Sequence, residues 1–292
     1  MNVTMQRKFM KIALEEAKLS LREGNKGFGA VIAKGTKILI RTHDTDITDN
    51  DPTAHAETKA VRSAFKQLGG DLSGCVMFAT HEPCPMCSGA IVWSRIPHVV
   101  YSVSIRDSLK MGRTMVDVRA ADIFRKAPWK IKCEAGLLKN ECAHLYESSV
   151  RASVKQLRPL IKNNAWKKLE RERSLDRVSW FKKNKTELLG KLHGTDIEKA
   201  YQLLLLRLRI KPSDAPIVAR TEKKITFRSR NFCPTIYACD ILGLDTRVVC
   251  RAAYEKSTGD LLRQINPRLK FGRNYAKLRP HSPYCEEFII LK

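Results

Sequence analysis

The sequence predicts an α/β protein, in which helices cover a sheet in the first half of the chain and a smaller α+β part follows. Two observations predict this. Between residues 5 and 103, amphipathic helical patterns alternate with short apolar runs of strand type. Beyond residue 196, shorter pieces of both kinds alternate again. Helices that alternate with strands in this way form layers on a sheet.

The elements of the first half follow from apolar spacing and from turn residues. A helix is expected over residues 5–23, where apolar side chains recur every three or four positions. A second helix is expected after Pro52 and Thr53, and it stops at Gly69 and Gly70. The remaining predicted elements are strands at 27–33, 37–40, 75–80 and 98–103 and a helix at 86–94.

The second half changes in texture. Residues 155–191 are dense in Lys and Arg, which predicts one or two basic helices. A further helix is expected over 196–208, and mixed strand-like and helix-like pieces follow from 216 onward. We therefore expect a first domain at 1–152, a basic helical connector at 153–195 and a small α+β domain at 196–292.

Charge separates the two halves of the chain. Residues 1–150 carry 22 Lys and Arg against 16 Asp and Glu, a net charge of +6. Residues 151–292 carry 32 against 14, a net charge of +18. A basic half attracts polyanions such as nucleic acid, whereas dispersed charge also serves solubility alone. Net charge alone therefore does not identify a binding partner.

Composition points to a soluble protein of the cytoplasm. The strongest apolar run, at 201–206, is too short to cross a bilayer, so no membrane partner is expected. The first 20 residues carry charges at helical spacing and do not have the pattern of a signal peptide. Nine cysteines in such a chain favour a reducing compartment, where thiols bind metal or pack as small apolar groups.

Two short segments carry the chemistry, DPTAHAE at 51–57 and EPCPMC at 82–87. His55, Cys84 and Cys87 supply the three protein ligands of a catalytic zinc, which keeps its fourth position for water. Cys84 and Cys87 stand one helical turn apart at the start of a predicted helix, where Pro85 suits the first turn. The helix dipole there favours thiolates over thiols.

Glu57 is the candidate catalytic residue. It stands two positions after His55, so on a helix its side chain points in a different direction from that of His55. It is therefore expected to lie beside the water in the fourth zinc position and not to bind the metal. There it can take a proton from water and deliver it to a ring nitrogen and to leaving ammonia. This pattern of His-x-Glu followed by Pro-Cys-x-x-Cys is typical of zinc deaminases. The alternative is a closed structural zinc site completed by Cys75 or His81, which leaves Glu57 without a purpose.

Residues from about 5 to 152 resemble the cytidine and deoxycytidylate deaminase superfamily, in the branch of guanine deaminase and tRNA adenosine deaminase. The resemblance rests on FGAVI (28–32), DPTAHAE, DLSGC (71–75), EPCPMC and GAIVWSRI (89–96). It implies a three-layer α/β/α domain with a mixed five-stranded sheet and one Zn²⁺ per domain. It also implies a homodimer.

The resemblance places the substrate against Asp44, Phe28, Ala56 and Pro83. In that branch an Asn commonly stands seven residues before the first motif, whereas Asp44 stands there in this chain. A carboxylate accepts hydrogen bonds and cannot donate them, so a ring that presents N–H groups would suit it. A loop-capping role for Asp44 is the alternative.

The expected substrate is a small aminated heterocycle, such as a nucleobase, a nucleoside or an analogue. Deamination of RNA, above all tRNA, docked on the basic half is the alternative. The stretch SVSIRD after Tyr101 lacks the Asp-x-Lys-x-Gly run typical of tRNA adenosine deaminases, which weakens that alternative.

Residues from about 229 to 292 are similar to the domain family named for L-2-amino-thiazoline-4-carboxylic acid hydrolase. The similar segments are NFCP (231–234), LGL (242–244), NPRLKF (266–271) and YCEE (284–287). The resemblance implies a small-molecule-binding or hydrolytic module. Four cysteines in this region, Cys233, Cys239, Cys250 and Cys285, are a candidate second metal or thiol site. Simple burial of these thiols is the alternative.

Overall fold

The computed structural model describes residues 1–163 and 165–292, which form two compact units, Met1–Gln156 and Leu157–Lys292. Each unit contains its own β-sheet. Within the described residues, no helix is both long enough and apolar enough to cross a membrane.

The first unit is built on a mixed five-stranded sheet. Its strands are β1 (Gly29–Lys34), β2 (Lys37–His43), β3 (Val76–His81), β4 (His98–Val103) and β5 (Lys132–Ala135). They lie in the order β2-β1-β3-β4-β5. Strand β1 is antiparallel to both of its neighbours, whereas β3, β4 and β5 are parallel to one another.

Helices cover both faces of this sheet. The helices of this unit are α1 (Val3–Glu23), α2 (Ala56–Gln67), α3 (Pro85–Trp93), α4 (Ile105–Lys110), α5 (Ala120–Phe124) and α6 (Lys139–Ala143), and α7 (Ser148–Asn163) begins in it and ends in the second unit. Because side chains alternate along a strand, Met77 and Phe78 of β3 point to opposite faces. Met77 joins the apolar cluster beneath α2 and α3, and Phe78 packs edge-on against Phe9 of α1, with ring centroids 5.4 Å apart. The predicted three-layer fold is confirmed.

The second unit has a four-stranded antiparallel sheet. Its strands are β6 (Ile217–Thr221), β7 (Lys224–Ser229), β8 (Leu269–Arg273) and β9 (Cys285–Leu291), in the order β6-β7-β9-β8. Its helices are α8 (Trp166–Lys183), α9 (Lys185–Lys191), α10 (Asp196–Leu208), α11 (Pro234–Leu242), α12 (Thr246–Val249) and α13 (Lys256–Leu262).

Segment 153–195, predicted as a connector, forms the end of α7 and the helices α8 and α9. Phe181 of α8 and Leu188 of α9 pack with Leu203 and Leu261 in an apolar cluster of the second unit. Apolar side chains of α8 and α9 therefore contribute to a core, and Arg177 of α8 is buried with them.

Gly29 opens β1 at the point where α1 lies closest to the sheet. A Cβ atom at this position would stand 2.0 Å from the carbonyl oxygen of Ala13 and 2.6 Å from the amide nitrogen of Ala17. Both neighbours are backbone of α1, so neither can rotate away.

Gly29→Ala is therefore expected to lower the free energy of unfolding of the first unit by about 3 kcal/mol, the upper end of the usual cost of overpacking. Urea unfolding followed by circular dichroism measures this. Gly89→Ala, where a Cβ meets no atom within 4 Å, is the matched control and should be neutral or slightly stabilising. Equal stability of the two variants would contradict the close approach.

Candidate functional site

Two helix N-termini bring the predicted metal ligands together. His55 is the residue that caps the start of α2, and Cys84 is the residue that caps the start of α3, with Pro85 in the first helical turn. Neither side chain makes a capping hydrogen bond to its own helix. Both side chains are therefore available to point at a shared centre.

The three ligand atoms form a nearly equilateral triangle. The distances are 3.5 Å from Cys84 Sγ to His55 Nδ1, 3.6 Å from Cys87 Sγ to His55 Nδ1, and 3.5 Å between the two sulfurs. A tetrahedral zinc site requires about 3.6 Å between sulfur and nitrogen and about 3.8 Å between sulfurs. Among the described residues, the ligand atoms of these three side chains lie within 4.8 Å of one another, which is close enough for them to share one metal ion. The set fits zinc.

Neither residue considered for a closed site joins this triangle. His81 has both ring nitrogens engaged, Nδ1 with the carbonyl oxygen of Glu82 at 2.9 Å and Nε2 with Ser108 Oγ at 2.7 Å. Cys75 is buried in the apolar cluster beneath α2 and α3. Three ligands that face a cavity leave a fourth metal position free, which a closed structural site does not.

The thiols differ in their readiness to ionise. Hydrogen bonding from Cys87, and then from His55, lowers the pKa of Cys84 to about 4. The same pairing with Cys84, together with burial, raises the pKa of Cys87. Hydrogen bonding to Cys84 also raises the pKa of His55.

Glu57 lies beside the ligands without joining them. Its side chain is 5% exposed, and its Oε2 stands 3.4 Å from Cys87 Sγ. Burial, helped by the charge of Cys84, raises the pKa of Glu57 to about 7. A carboxyl group in this state exchanges protons readily near neutral pH.

A cavity of about 760 Å³ opens above this group. One wall is aromatic, because Phe28, His81 and Tyr146 pack against one another with ring centroids 5.3 to 5.4 Å apart. The other lining comes from residues 111–116 and from Arg151. An apolar wall with a few polar groups is typical of a small-molecule site.

Of the four residues predicted to contact the substrate, only Phe28 is among those that line this cavity. Phe28 lines it, whereas Ala56 and Pro83 are buried next to residues that line it. Asp44 is fully buried, and its carboxylate accepts hydrogen bonds from Ser20 Oγ at 2.6 Å, the Lys26 amide at 2.9 Å and the Phe28 amide at 2.7 Å. These are the contacts of a loop-capping carboxylate, and they hold Phe28 in the cavity wall.

The four cysteines of the second unit are not brought together as metal ligands in the part of the chain that the structure describes. Burial raises the pKa of Cys233, and it raises the pKa of Cys239 and Cys250 to about 12. The Cys285 sulfur accepts a hydrogen bond from Arg279 Nε at 3.5 Å. Burial that raises the pKa of a thiol lowers its thiolate fraction, so these cysteines are poor nucleophiles near neutral pH.

Glu82 has a positioning role that sequence reasoning missed. Its buried carboxylate accepts hydrogen bonds from the amides of Ile105 at 2.9 Å and Ala120 at 3.0 Å. These amides begin α4 and α5, on either side of the segment that lines the cavity. The sequence signal that could have identified Glu82 is its position, directly after the buried strand β3 and two residues before the predicted ligand Cys84.

Comparison with known proteins agrees with this geometry. Residues 3–103 match the family model of the cytidine and deoxycytidylate deaminase zinc-binding region. Guanine deaminase of Bacillus subtilis (strain 168) is 42% identical over 106 residues, which are 36% of this chain and 68% of that protein. The chain belongs to the cytidine and deoxycytidylate deaminase family. The predicted family is thereby confirmed.

Other relatives in this family differ in their substrates. The tRNA-specific adenosine deaminase of Bacillus subtilis (strain 168) is 31% identical over 162 residues, covering 55% of this chain and 98% of that protein. A solved chain from studies of A-to-I editing by tRNA:A34 deaminases aligns with 47% of this chain and 98% of its own length, at 27% identity and a TM-score of 0.42. The resemblance predicted for residues 229–292 stays a prediction.

Cys84→Ser is expected to remove most of the zinc bound by the first unit, because a neutral hydroxyl replaces a thiolate ligand. Metal content per chain after dialysis, measured by atomic absorption, checks this. Cys75→Ala is the matched control, and it should keep its zinc. Full zinc in the Cys84 variant, or loss of zinc in the Cys75 variant, would contradict the ligand assignment.

Glu82→Gln is expected to lower the free energy of unfolding by about 2 kcal/mol. The side-chain amide of Gln has one oxygen and one NH₂ group, so one of the two backbone N–H groups loses its acceptor and faces another donor. Hydrogen exchange should speed up at Ile105 and Ala120 and over the segment between them. Glu134→Gln, at a half-buried ion pair with His98, is the control and should leave that segment protected. Unchanged exchange in the Glu82 variant would show that its two hydrogen bonds do not hold the segment.

Proposed function

We propose that the first unit catalyses zinc-dependent hydrolytic deamination of a small aminated heterocycle, such as a nucleobase, a nucleoside or an analogue, and releases ammonia. Family membership supports the reaction class. The observation that carries the proposal is the position of Glu57, buried beside the three ligands and open to the same cavity. A structural metal site has no use for such a carboxyl group.

Zinc at this site would lower the pKa of water and so supply a nucleophile near neutral pH. Glu57 takes the proton at a carboxylate oxygen and passes it to the ring nitrogen next to the reacting carbon. Once the hydroxyl group is bonded to that carbon, Glu57 takes its remaining proton and gives it to the amino group, which leaves as ammonia. The carbon–nitrogen bond breaks as the carbon–oxygen double bond forms, and Glu57 returns to its first state.

The remaining residues orient the ring and exclude competing proton donors. Phe28 and Tyr146 offer ring faces and edges on which a flat heterocycle can pack. Burial lowers the pKa of His81 to about 4, so its imidazole is neutral, and both nitrogens are engaged. Glu57 is therefore the group that moves protons at the reacting atoms.

Deamination of tRNA is the second candidate. It is favoured by the net charge of +18 in residues 151–292 and by relatives that are tRNA-specific adenosine deaminases. The absence of the Asp-x-Lys-x-Gly run after Tyr101 favours the small heterocycle.

A homodimer is part of the proposal. Trp93 of α3 is 81% exposed, and with Phe65 and Val61 of α2 it lines an apolar depression of about 360 Å³. Exposed apolar surface of this kind is typical of an interface between protein chains.

Glu57→Gln is expected to reduce ammonia release by roughly 10²- to 10⁴-fold while zinc content and stability stay unchanged, because the ligands are intact and the proton carrier is lost. The substrates are free bases, nucleosides, nucleotides and bulk tRNA. Glu141→Gln, on the exposed side of α6, is the control and should keep full activity. Equal release by both variants would refute the role of Glu57, and release from tRNA alone would favour the second candidate.

A further inference from the structure

The active-site cavity contains more positive charge than the deamination chemistry requires. Three basic side chains line it, those of Lys26, Arg113 and Arg151. Lys26 forms an ion pair with Asp46, so its charge is matched. Within the residues that the structure describes, neither Arg113 nor Arg151 forms an ion pair with a carboxylate.

The guanidinium of Arg113 is held over the aromatic wall. It stands 5.3 Å from the ring centroid of Phe28 and 5.1 Å from that of Tyr146. The side chain is half-buried, and burial, with the nearby charge of Arg151, lowers the pKa of Arg113. These contacts hold the group over the two rings without using its N–H donors.

Arg151 stands beside it and is positioned by the same loop. Its Nη1 donates to the carbonyl oxygen of Lys26 at 3.0 Å, two residues before Phe28. The other guanidinium nitrogens of Arg151 have no protein acceptor within the described residues. Two guanidinium groups thus share one part of the cavity wall.

The acidic residues near the cavity form no ion pair with these two guanidinium groups among the described residues, although the charge of Asp44 acts on Arg113. Glu82 uses both carboxylate oxygens on backbone amides. Glu57 lies against Cys87 at the metal ligands. Asp44, behind the wall, is occupied by Ser20 and by the amides of the Phe28 loop. Half-buried cations without a partner are costly in free energy unless a bound anion compensates them.

We propose that the substrate is an anionic heterocycle, one that carries, on its ring or on an attached sugar, a phosphate or carboxylate group that binds Arg113 and Arg151 while the amino group faces Glu57. This inference rests on the proposed function, because it names the substrate class of the same site. The paired planar guanidinium groups suit the oxygens of either anion, which Arg binds in a fork. A cavity of about 760 Å³ has room for a ring and such a substituent.

The test uses the zinc-loaded full chain and compounds that differ in one anionic group. Three pairs add a phosphate: adenosine with adenosine monophosphate, guanosine with guanosine monophosphate, and cytidine with cytidine monophosphate. One pair adds a carboxylate: cytosine with 5-carboxycytosine. Ammonia release gives kcat and KM, and calorimetry with the inactive Glu57→Ala chain gives Kd for each compound.

We expect the anionic member of at least one pair to be preferred by roughly 10- to 100-fold in kcat/KM and in Kd, the usual contribution of a hydrogen bond to a charged group. Arg113→Met should abolish that preference mainly through KM, so that the two members of the pair are used equally. Arg113→Lys should keep part of it, because the charge remains without the fork. Arg106→Met, at an exposed arginine outside the cavity lining, is the matched control and should behave as wild type.

Each other result has a definite meaning. A preference for phosphate or for carboxylate identifies the anion. Equal use of both members of every pair, an unchanged preference in Arg113→Met, or no binding of any anionic member would overturn the inference. Deamination of tRNA alone would also overturn it. Anion-selective binding without ammonia release from any compound would refute the proposed function and leave this inference standing.

Discussion

The carboxylate of Glu82 accepts hydrogen bonds from two backbone amides that lie 23 and 38 residues further along the chain. Because β3 and β4 are parallel, their carboxyl ends lie at the same edge of the sheet. Glu82 follows β3 at this edge and binds the first amides of α4 and α5 there. Cys84 follows Glu82 by two residues, and the cavity segment 111–116 lies in sequence between the two bonded amides. Loss of one buried acceptor would therefore disturb both, since an unsatisfied buried amide is costly.

Asp44 has the same physical role at the aromatic wall of the cavity. Its carboxylate fixes the loop before β1, and that loop carries Phe28 into the aromatic wall. Burial raises the pKa of Asp44, and the three hydrogen bonds from Ser20, Phe28 and Lys26 oppose that rise. The site is thus framed by two carboxylates that bind protein amides, while a third, Glu57, is the carboxyl group that we propose for catalysis.

The parts of the site that depend on neighbours in sequence could be predicted, and the parts that depend on distant contacts could not. His55, Cys84 and Cys87 follow from spacing and helix starts, and the helix at 196–208 follows from apolar period. The functions of Asp44 and Glu82 depend on which distant amides the fold brings to them. Arg113 could not be assigned either, because its stacking on Tyr146 joins residues 33 positions apart.

The absence of side-chain caps at the starts of α2 and α3 has a consequence for the folding of the first unit. His55 and Cys84 occupy the positions where Ser, Thr, Asp or Asn usually stabilise a helix start. Chelation of one ion by both residues would fix the starts of α2 and α3 relative to each other. A side-chain cap, in contrast, stabilises only the start of its own helix. Metal occupancy and local order are then thermodynamically linked, so that a chelator acts as a denaturant confined to these two helix ends.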